Sequence, residues 1–236
     1  MLESWSNLVF GMECVGCGES SDSLDPWLCK SCSEKLKSLS KEVCCPTDDV
    51  VCLYPMEAVT RKLVHLLKYR SIPAMAAYLV EHSLALQETP EVLFPGCSRP
   101  LYFIPVPLHP SRFRERGYNQ AEMIARALAK LTGGRICRWL RRNTFRVSQT
   151  KLSQRGREQN VAGVFVPNYP RFLPARGTAV VVDDVYTTGA TTGACLDALG
   201  KNFPLDVKVC TLLYDRPASA TMDFVADRQA FWNATG

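Results

Sequence analysis

Nothing in this 236-residue chain stays apolar long enough to cross a bilayer, and its first 12 residues have neither the basic start nor the apolar core of an export signal. These absences argue against membrane insertion and secretion, so a cytoplasmic location is expected. No internal repeat is present, which removes solenoids and propellers. Histidine is scarce: of the three present, His65 and His82 read as helix-face residues, and neither lies at metal-ligand spacing from another histidine. Disulfide pairing also explains little, because the 11 cysteines are odd in number and mostly lack a compact repeated spacing. A reducing compartment fits them better.

The cysteines that do have a pattern lie near the start. Cys14-Val-Gly-Cys17 and Cys29-Lys-Ser-Cys32 are two C-x-x-C pairs with 11 residues between them. That is the arrangement of a tetrahedral four-thiolate zinc site, and such a site is structural because it leaves no open position for substrate. Short, Ser-rich sequence around the pairs cannot bury much apolar surface, and bound metal would supply the missing folding energy. Cys44, Cys45 and Cys52 do not complete a second quartet, so one zinc is expected. Cys97, Cys137, Cys195 and Cys210 sit among apolar neighbours and read as small core residues. The expected organisation is a zinc-binding module over residues 1–49 and an α/β domain over 50–236, with Lys41–Val51 as the linker candidate.

Past that point strands and helices alternate, which implies a mostly parallel sheet with ligands at the carboxyl ends of its strands. Val50–Met56 reads as a strand, Ala58–Tyr69 as an amphipathic helix, Pro73–Leu86 as a proline-opened helix and Asp206–Tyr214 as a strand. Lys68 and Arg70 either reach a ligand cleft or only complement the dipole at the end of their helix.

The most informative stretch is Val180 to Thr192, VVVDDVYTTGATT. A β-branched run makes a buried strand, two carboxylates stand where it ends, and a Thr/Gly turn opens a helix. The first N–H groups of a helix lack internal partners, so such a turn can wrap a phosphate. Thr187, Thr188, Gly189, Ala190 and Thr191 are the candidate donors. Asp183 and Asp184 would repel an anion unless they face hydroxyls or a metal-bound part of the ligand. Without a ligand, the same stretch fits a core strand with a solvated acidic end and a Thr cap.

A second stretch, LYFIPVPLHPSRFRERGYNQAEMIARALAKL from Leu101 to Leu131, begins as a strand, passes through a basic loop and ends as an amphipathic helix. Arg112, Arg114 and Arg116 alternate along that loop, and guanidinium groups give forked hydrogen bonds to phosphate oxygens. A mobile, merely solubilising loop is the plainer alternative. From Arg99 to Glu158 the chain holds 14 Lys and Arg against three acids, a net of +11 within a whole of +5. Such polarity suits a phosphate backbone. Phe113, Tyr118, Trp139 and Phe145 lie among these charges, as stacking platforms for unpaired bases or as core residues.

The stretch at Val180–Thr192 resembles the phosphoribosyl pyrophosphate (PRPP) signature of type I phosphoribosyltransferases, with Tyr186 where a small aliphatic residue is usual. The Leu101–Leu131 stretch resembles the ComF family, phosphoribosyltransferase-like proteins associated with DNA uptake in natural transformation. The LLKYR element, Gln149–Ser153 and Arg157-x-x-Asn160-Val161 fit the same pattern, and the likeness runs from the cysteine pairs to about Asp215. It implies a type I phosphoribosyltransferase fold with a small zinc module. Asp183 and Asp184 would bind the ribose hydroxyls and serve catalysis, and residues 187–191 would hold the 5-phosphate. Val106, Pro107, Leu108 and His109 would contact pyrophosphate, with Arg112, Arg114 and Arg116 just beyond. Magnesium would accompany PRPP. Single-stranded DNA and a DNA-uptake helicase or other competence proteins would be partners. An enzyme of nucleotide metabolism, transferring ribose 5-phosphate to an unidentified acceptor, is the other reading.

Overall fold

The computed structural model describes residues 12–21, 25–41, 44–83, 94, 96–143 and 163–215. Six strands form the central sheet: β3 (Cys44–Thr47), β4 (Val50–Pro55), β5 (Leu101–Pro105), β6 (Arg135–Ile136), β9 (Thr178–Tyr186) and β10 (Asp206–Tyr214). Their order is β3-β4-β10-β9-β5-β6, and all pairs are parallel except β3 with β4. A mixed α/β domain with a mostly parallel sheet is therefore what the sequence pattern led one to expect. The linker candidate is not a free connector, however. Its residues 44–51 form the antiparallel β3–β4 turn, where Cys44 lies opposite Cys52.

The central strands are apolar on both faces because helices or loops cover both. On one face Leu53, Phe103, Val180, Val182 and Leu212 pack with helices α2 (Ala58–Tyr69), α3 (Ala74–Glu81) and α5 (Gln120–Thr132). On the other, Cys52, Ile104, Val181 and Val209 pack with Cys195 and Leu199 of α6 (Ala190–Leu199). A small antiparallel ribbon, β7 (Leu140–Arg142) with β8 (Phe165–Pro167), joins that layer. Each fully buried aliphatic or aromatic side chain contributes about 1.5–3 kcal/mol. Trp139 is buried against Tyr102 and Phe203, a core residue rather than a base-stacking platform.

Local sequence explains the helices that border the site. The capping box of α2 joins the Glu57 N–H to Thr60 Oγ1 at 2.9 Å. In α5, Asn119 accepts from the Ala121 N–H, Gly133 closes the far end with φ 68°, and Ala121, Ile124, Ala125 and Leu128 form the buried stripe. The segment after β5 that reads as a basic loop is the short helix α4 (Pro110–Arg116), begun by a proline in its first turn and ended by left-handed Gly117. None of its residues is buried.

The amino-terminal part consists of β1 (Met12–Glu13), β2 (Ser20–Ser21) and α1 (Lys30–Ser40). Among the described residues its apolar side chains form no separate core: Leu28 and Leu36 belong to the same cluster as Leu63, Tyr78 and Leu79. The Tyr78 hydroxyl donates to the Asp25 carbonyl at 2.8 Å, and its ring meets Trp27 edge-on at 5.0 Å. No helix among the described residues is long and apolar enough to cross a membrane. Gln149–Ser153, Arg157, Asn160, Val161, Phe145 and the end of the Pro73–Leu86 helix reading lie outside the described residues.

Candidate functional site

Strands β5 and β9 run side by side, with Pro105 opposite Val182, and the Val106 N–H donates to the Val182 carbonyl at 2.9 Å. This register brings Val106 beside the end of β9 where the two acids stand. The backbone N–H of Asp184 donates to Asp183 Oδ1 at 2.8 Å. Asp184 extends to α2, where Lys68 Nζ lies 2.9 Å from its Oδ1 and both side chains are largely covered. Burial, reinforced by the charge of Asp184, pushes the Asp183 carboxyl up to about 7, against the pull of the Asp184 N–H and Lys68. Cys195 of α6 lies close enough to feel Asp183: burial first and that carboxylate second push its thiol up to about 12, while Arg142 acts in the opposite sense. Cys195 is thus a neutral core thiol, as its apolar surroundings suggested.

Beyond Tyr186 the chain turns through Thr187, Thr188 and Gly189 into α6. Gly189 has φ 75°, and a Cβ there would lie 2.5 Å from the Tyr186 hydroxyl. Both the backbone and the close ring demand glycine. Residues 185–192 line an open depression, with the first N–H groups of α6 at its rim. The Thr192 hydroxyl donates back to the Gly189 carbonyl at 3.0 Å, holding the first turn. Tyr186, the departure from the usual signature, therefore packs against the turn instead of extending into solvent.

On the β5 side the residues named from sequence separate into different roles. His109 caps α4: its Nδ1 accepts from the Ser111 N–H at 3.2 Å and meets Ser111 Oγ at 2.6 Å. The His-Pro-Ser order carries that signal, since proline favours the position after a cap. Arg112 pairs with Glu115 at 2.8 Å. Arg116 donates to Gln120 Oε1 at 3.1 Å and lies over the Tyr69 ring at 5.2 Å, while its Nε and the Gln120 Nε2 have no protein partner. Arg114 has no partner among the described residues. In a helix, Arg112 and Arg116 share a face and Arg114 points away, so the three do not converge as they would along an extended loop.

Sequence reasoning did not foresee how the end of α2 is pinned. The Tyr118 hydroxyl donates to the Leu67 carbonyl, and the Arg70 N–H to that of Leu66 at 3.0 Å. The last turn of α2 is thereby fixed between the β5 loop and the acid pair. No local sequence signal encodes a tyrosine-to-carbonyl bond across 51 residues.

The four amino-terminal cysteines come together as their spacing requires: their sulfurs all lie within 4.8 Å of one another, and Cys17 and Cys29 are 3.9 Å apart. A tetrahedral ion with bonds of about 2.3 Å sets neighbouring sulfurs about 3.8 Å apart, so the group is spaced to hold a metal ion. Burial acts to raise the Cys14 thiol, but the N–H groups of Cys29, Cys17 and Gly16 outweigh it and bring it down to about 6. Burial and neighbouring sulfurs push Cys32 up to about 12. A Cβ on Gly16 would lie 2.6 Å from Cys32 Sγ, so only glycine lets the first pair close around that space.

No family model matches the chain. Among curated proteins it is similar to DNA utilization protein YhgH of Salmonella typhimurium, 35% identical over 159 residues, covering 64% of this chain and 65% of that protein. It is also similar to Competence protein F of Haemophilus influenzae, 36% identical over 94 residues, covering 39% of this chain and 41% of that protein. Among solved structures, adenine phosphoribosyltransferase from Saccharomyces cerevisiae, complexed with an imino-altritol bisphosphate and adenine, gives a TM-score of 0.37 at 14% identity, covering 85% of this chain and 94% of that one. The match thus spans 65% of the length of the first of these relatives. The resemblance to the ComF family read from sequence extends to homologues bearing that name and to the YhgH proteins.

Proposed function

We propose that the chain is a ComF-like protein of DNA uptake whose α/β domain binds PRPP with magnesium and whose basic surface engages single-stranded DNA. The observation that carries the PRPP reading is the convergence at the carboxyl ends of β5 and β9 of the acid pair, the N–H-rich turn into α6 and the loop after β5. Asp183 and Asp184 accept hydrogen bonds from the ribose hydroxyls, and Thr187, Thr188, Gly189, Ala190 and Thr191 enclose the 5-phosphate. Val106, Pro107, Leu108 and His109 border the pyrophosphate, with Arg112, Arg114 and Arg116 outside them. Magnesium accompanying the ligand would offset the charge of the pyrophosphate. Cys14, Cys17, Cys29 and Cys32 hold a structural zinc. No disulfide joins cysteines among the described residues, in keeping with a cytoplasmic setting.

The relatives named for DNA utilization and competence support the uptake role. If the site also transfers ribose 5-phosphate, Asp183 and Asp184 stabilise the positive charge that develops at the anomeric carbon. Calorimetry with PRPP and magnesium tests the binding reading. Asp183→Asn with Asp184→Asn should weaken binding by roughly 1–3 kcal/mol per lost hydrogen-bonded charge, in a protein that remains folded. Unchanged affinity in the folded double variant would assign the acids another task. Pyrophosphate release in the presence of an acceptor would add enzymatic transfer.

A further inference from the structure

A pair of adjacent carboxylates at a strand end attracts cations, and in most open sites the cation comes from solvent. Here one is built in. Lys68 Nζ sits 2.9 Å from Asp184 Oδ1, and the exposures of the two side chains are only 22% and 16%. A lysine that merely complemented the dipole of its own helix would lie along the last turn of α2. This one crosses from α2 to β9, and the turn carrying it is fixed by the Tyr118 bond to Leu67 and by Arg116 stacked on Tyr69. Tethering gives the ammonium a local concentration far above that of a free divalent ion.

We propose, on the reading of these strand ends as a PRPP site, that Lys68 is the resident cation of the acid pair: it keeps free divalent metal off Asp184 and passes to a phosphate oxygen when a metal-chelated sugar polyphosphate enters. A free ion offers Lys68 no new partner and must displace it outright. The metal complex of a sugar polyphosphate supplies both a replacement cation near the acids and an anionic oxygen for the lysine. The site therefore selects the loaded ligand over its separate parts. Lys68 contributes to specificity for the metal–ligand complex, a role distinct from that of the phosphate-binding turn.

The experiment uses the full, zinc-loaded chain and Mn2+ alone, followed by paramagnetic relaxation of water protons. Lys68→Met keeps the length of the side chain and removes the charge. It should bind Mn2+ at least tenfold more tightly than the unaltered chain, and adding Asp184→Asn should abolish the gain. Lys68→Arg should behave like the unaltered chain, and Lys68→Gln should repeat the methionine result if the methionine variant fails to fold. Unchanged Mn2+ affinity in a folded neutral variant, or a gain that survives Asp184→Asn, would overturn the proposal. In a second arm the affinity for PRPP with magnesium should fall about tenfold in Lys68→Met and persist in Lys68→Arg; equal affinity in all three proteins would also overturn it. If the unaltered chain binds no PRPP, the reading of the site as a PRPP site fails, while the Mn2+ arm still decides whether Lys68 guards Asp184.

Discussion

The molecule gathers like groups in two places and relieves their repulsion in opposite ways. Around Gly16, four sulfurs converge within 4.8 Å, and the Lys62 ammonium beside them donates to the Gly16 carbonyl at 2.7 Å rather than to a sulfur, so the four donors stay open to an ion from outside. At the end of β9, Asp183 and Asp184 are kept compatible from within: one carboxyl is pushed up to about 7 and the other is paired with Lys68. A closed set of four donors suits a permanent occupant. An acid pair whose counter-ion is a swinging side chain suits an occupant that comes and goes. Their surroundings differ too: Cys14, Cys29 and Cys32 pack on the core shared with α2 and α3 while Cys17 is exposed, whereas the acid pair, itself largely covered, borders an open depression.

The largest expected effect removes the permanent occupant. Cys29→Ser should bring metal content, by elemental analysis under reducing conditions, from about one zinc per chain to near zero. Structural zinc supplies about 10–16 kcal/mol of apparent binding energy in small modules, so the thermal transition should fall by many degrees. Because Leu28 and Leu36 belong to the main core, proteolysis should extend beyond the module itself. A variant that loses zinc and keeps its transition would show that the two regions are less coupled than their packing implies.

A smaller effect separates the acid pair by pH. Asp183 is ordinarily near 3.8 and is raised to about 7 in the fold, so the protonated form is favoured by folding. Its contribution to stability is complete below 3.8 and is lost as pH rises through about 7. Asp183→Asn should therefore flatten the decline in stability over that window, measured by denaturant titration. Hydroxyl recognition needs the ionised form. PRPP affinity should then weaken roughly tenfold per pH unit below the carboxyl's raised value and level off above it. An affinity independent of pH from 5 to 8 would assign the hydroxyls to Asp184 alone.

The smallest effect concerns the basic surface. Single-strand affinity should fall with salt, and each lost phosphate contact should flatten the log–log slope by about 0.7. Arg114→Ala should show that change in a fluorescence titration. Arg112→Ala should show less, because Arg112 is already paired with Glu115. Absence of single-strand binding at low salt would remove DNA from the proposal and leave the PRPP site standing.

The strand, acid pair and turn at 178–190 were legible because each part is a local signal: β-branched burial, charge at the strand end, and a glycine that only a left-handed turn explains. The cysteine quartet was legible from spacing alone. Helix α4 was missed because its arginines carry no apolar period, and a helix without a buried face leaves no periodic trace. The role of Lys68 stayed open between dipole and cleft, since only the tertiary path of α2 brings its ammonium to β9. Nothing near Lys41–Val51 announced that β3 pairs back on β4, because paired aspartates and a proline read as a connector.

Strand β10 carries a consequence for how the chain is made. It lies between β4 and β9, pairing Val209 with both Val50 and Val181, so those two strands touch only through it. A growing chain cannot close this sheet until residue 214 has left the ribosome, although β4 emerges at residue 50. At roughly 5–20 residues per second, β4, paired only with β3, waits about 8–30 seconds for β10. During that interval α2 and α3 are its nearest available cover, and truncations upstream of β10 should aggregate during synthesis rather than yield a smaller folded protein.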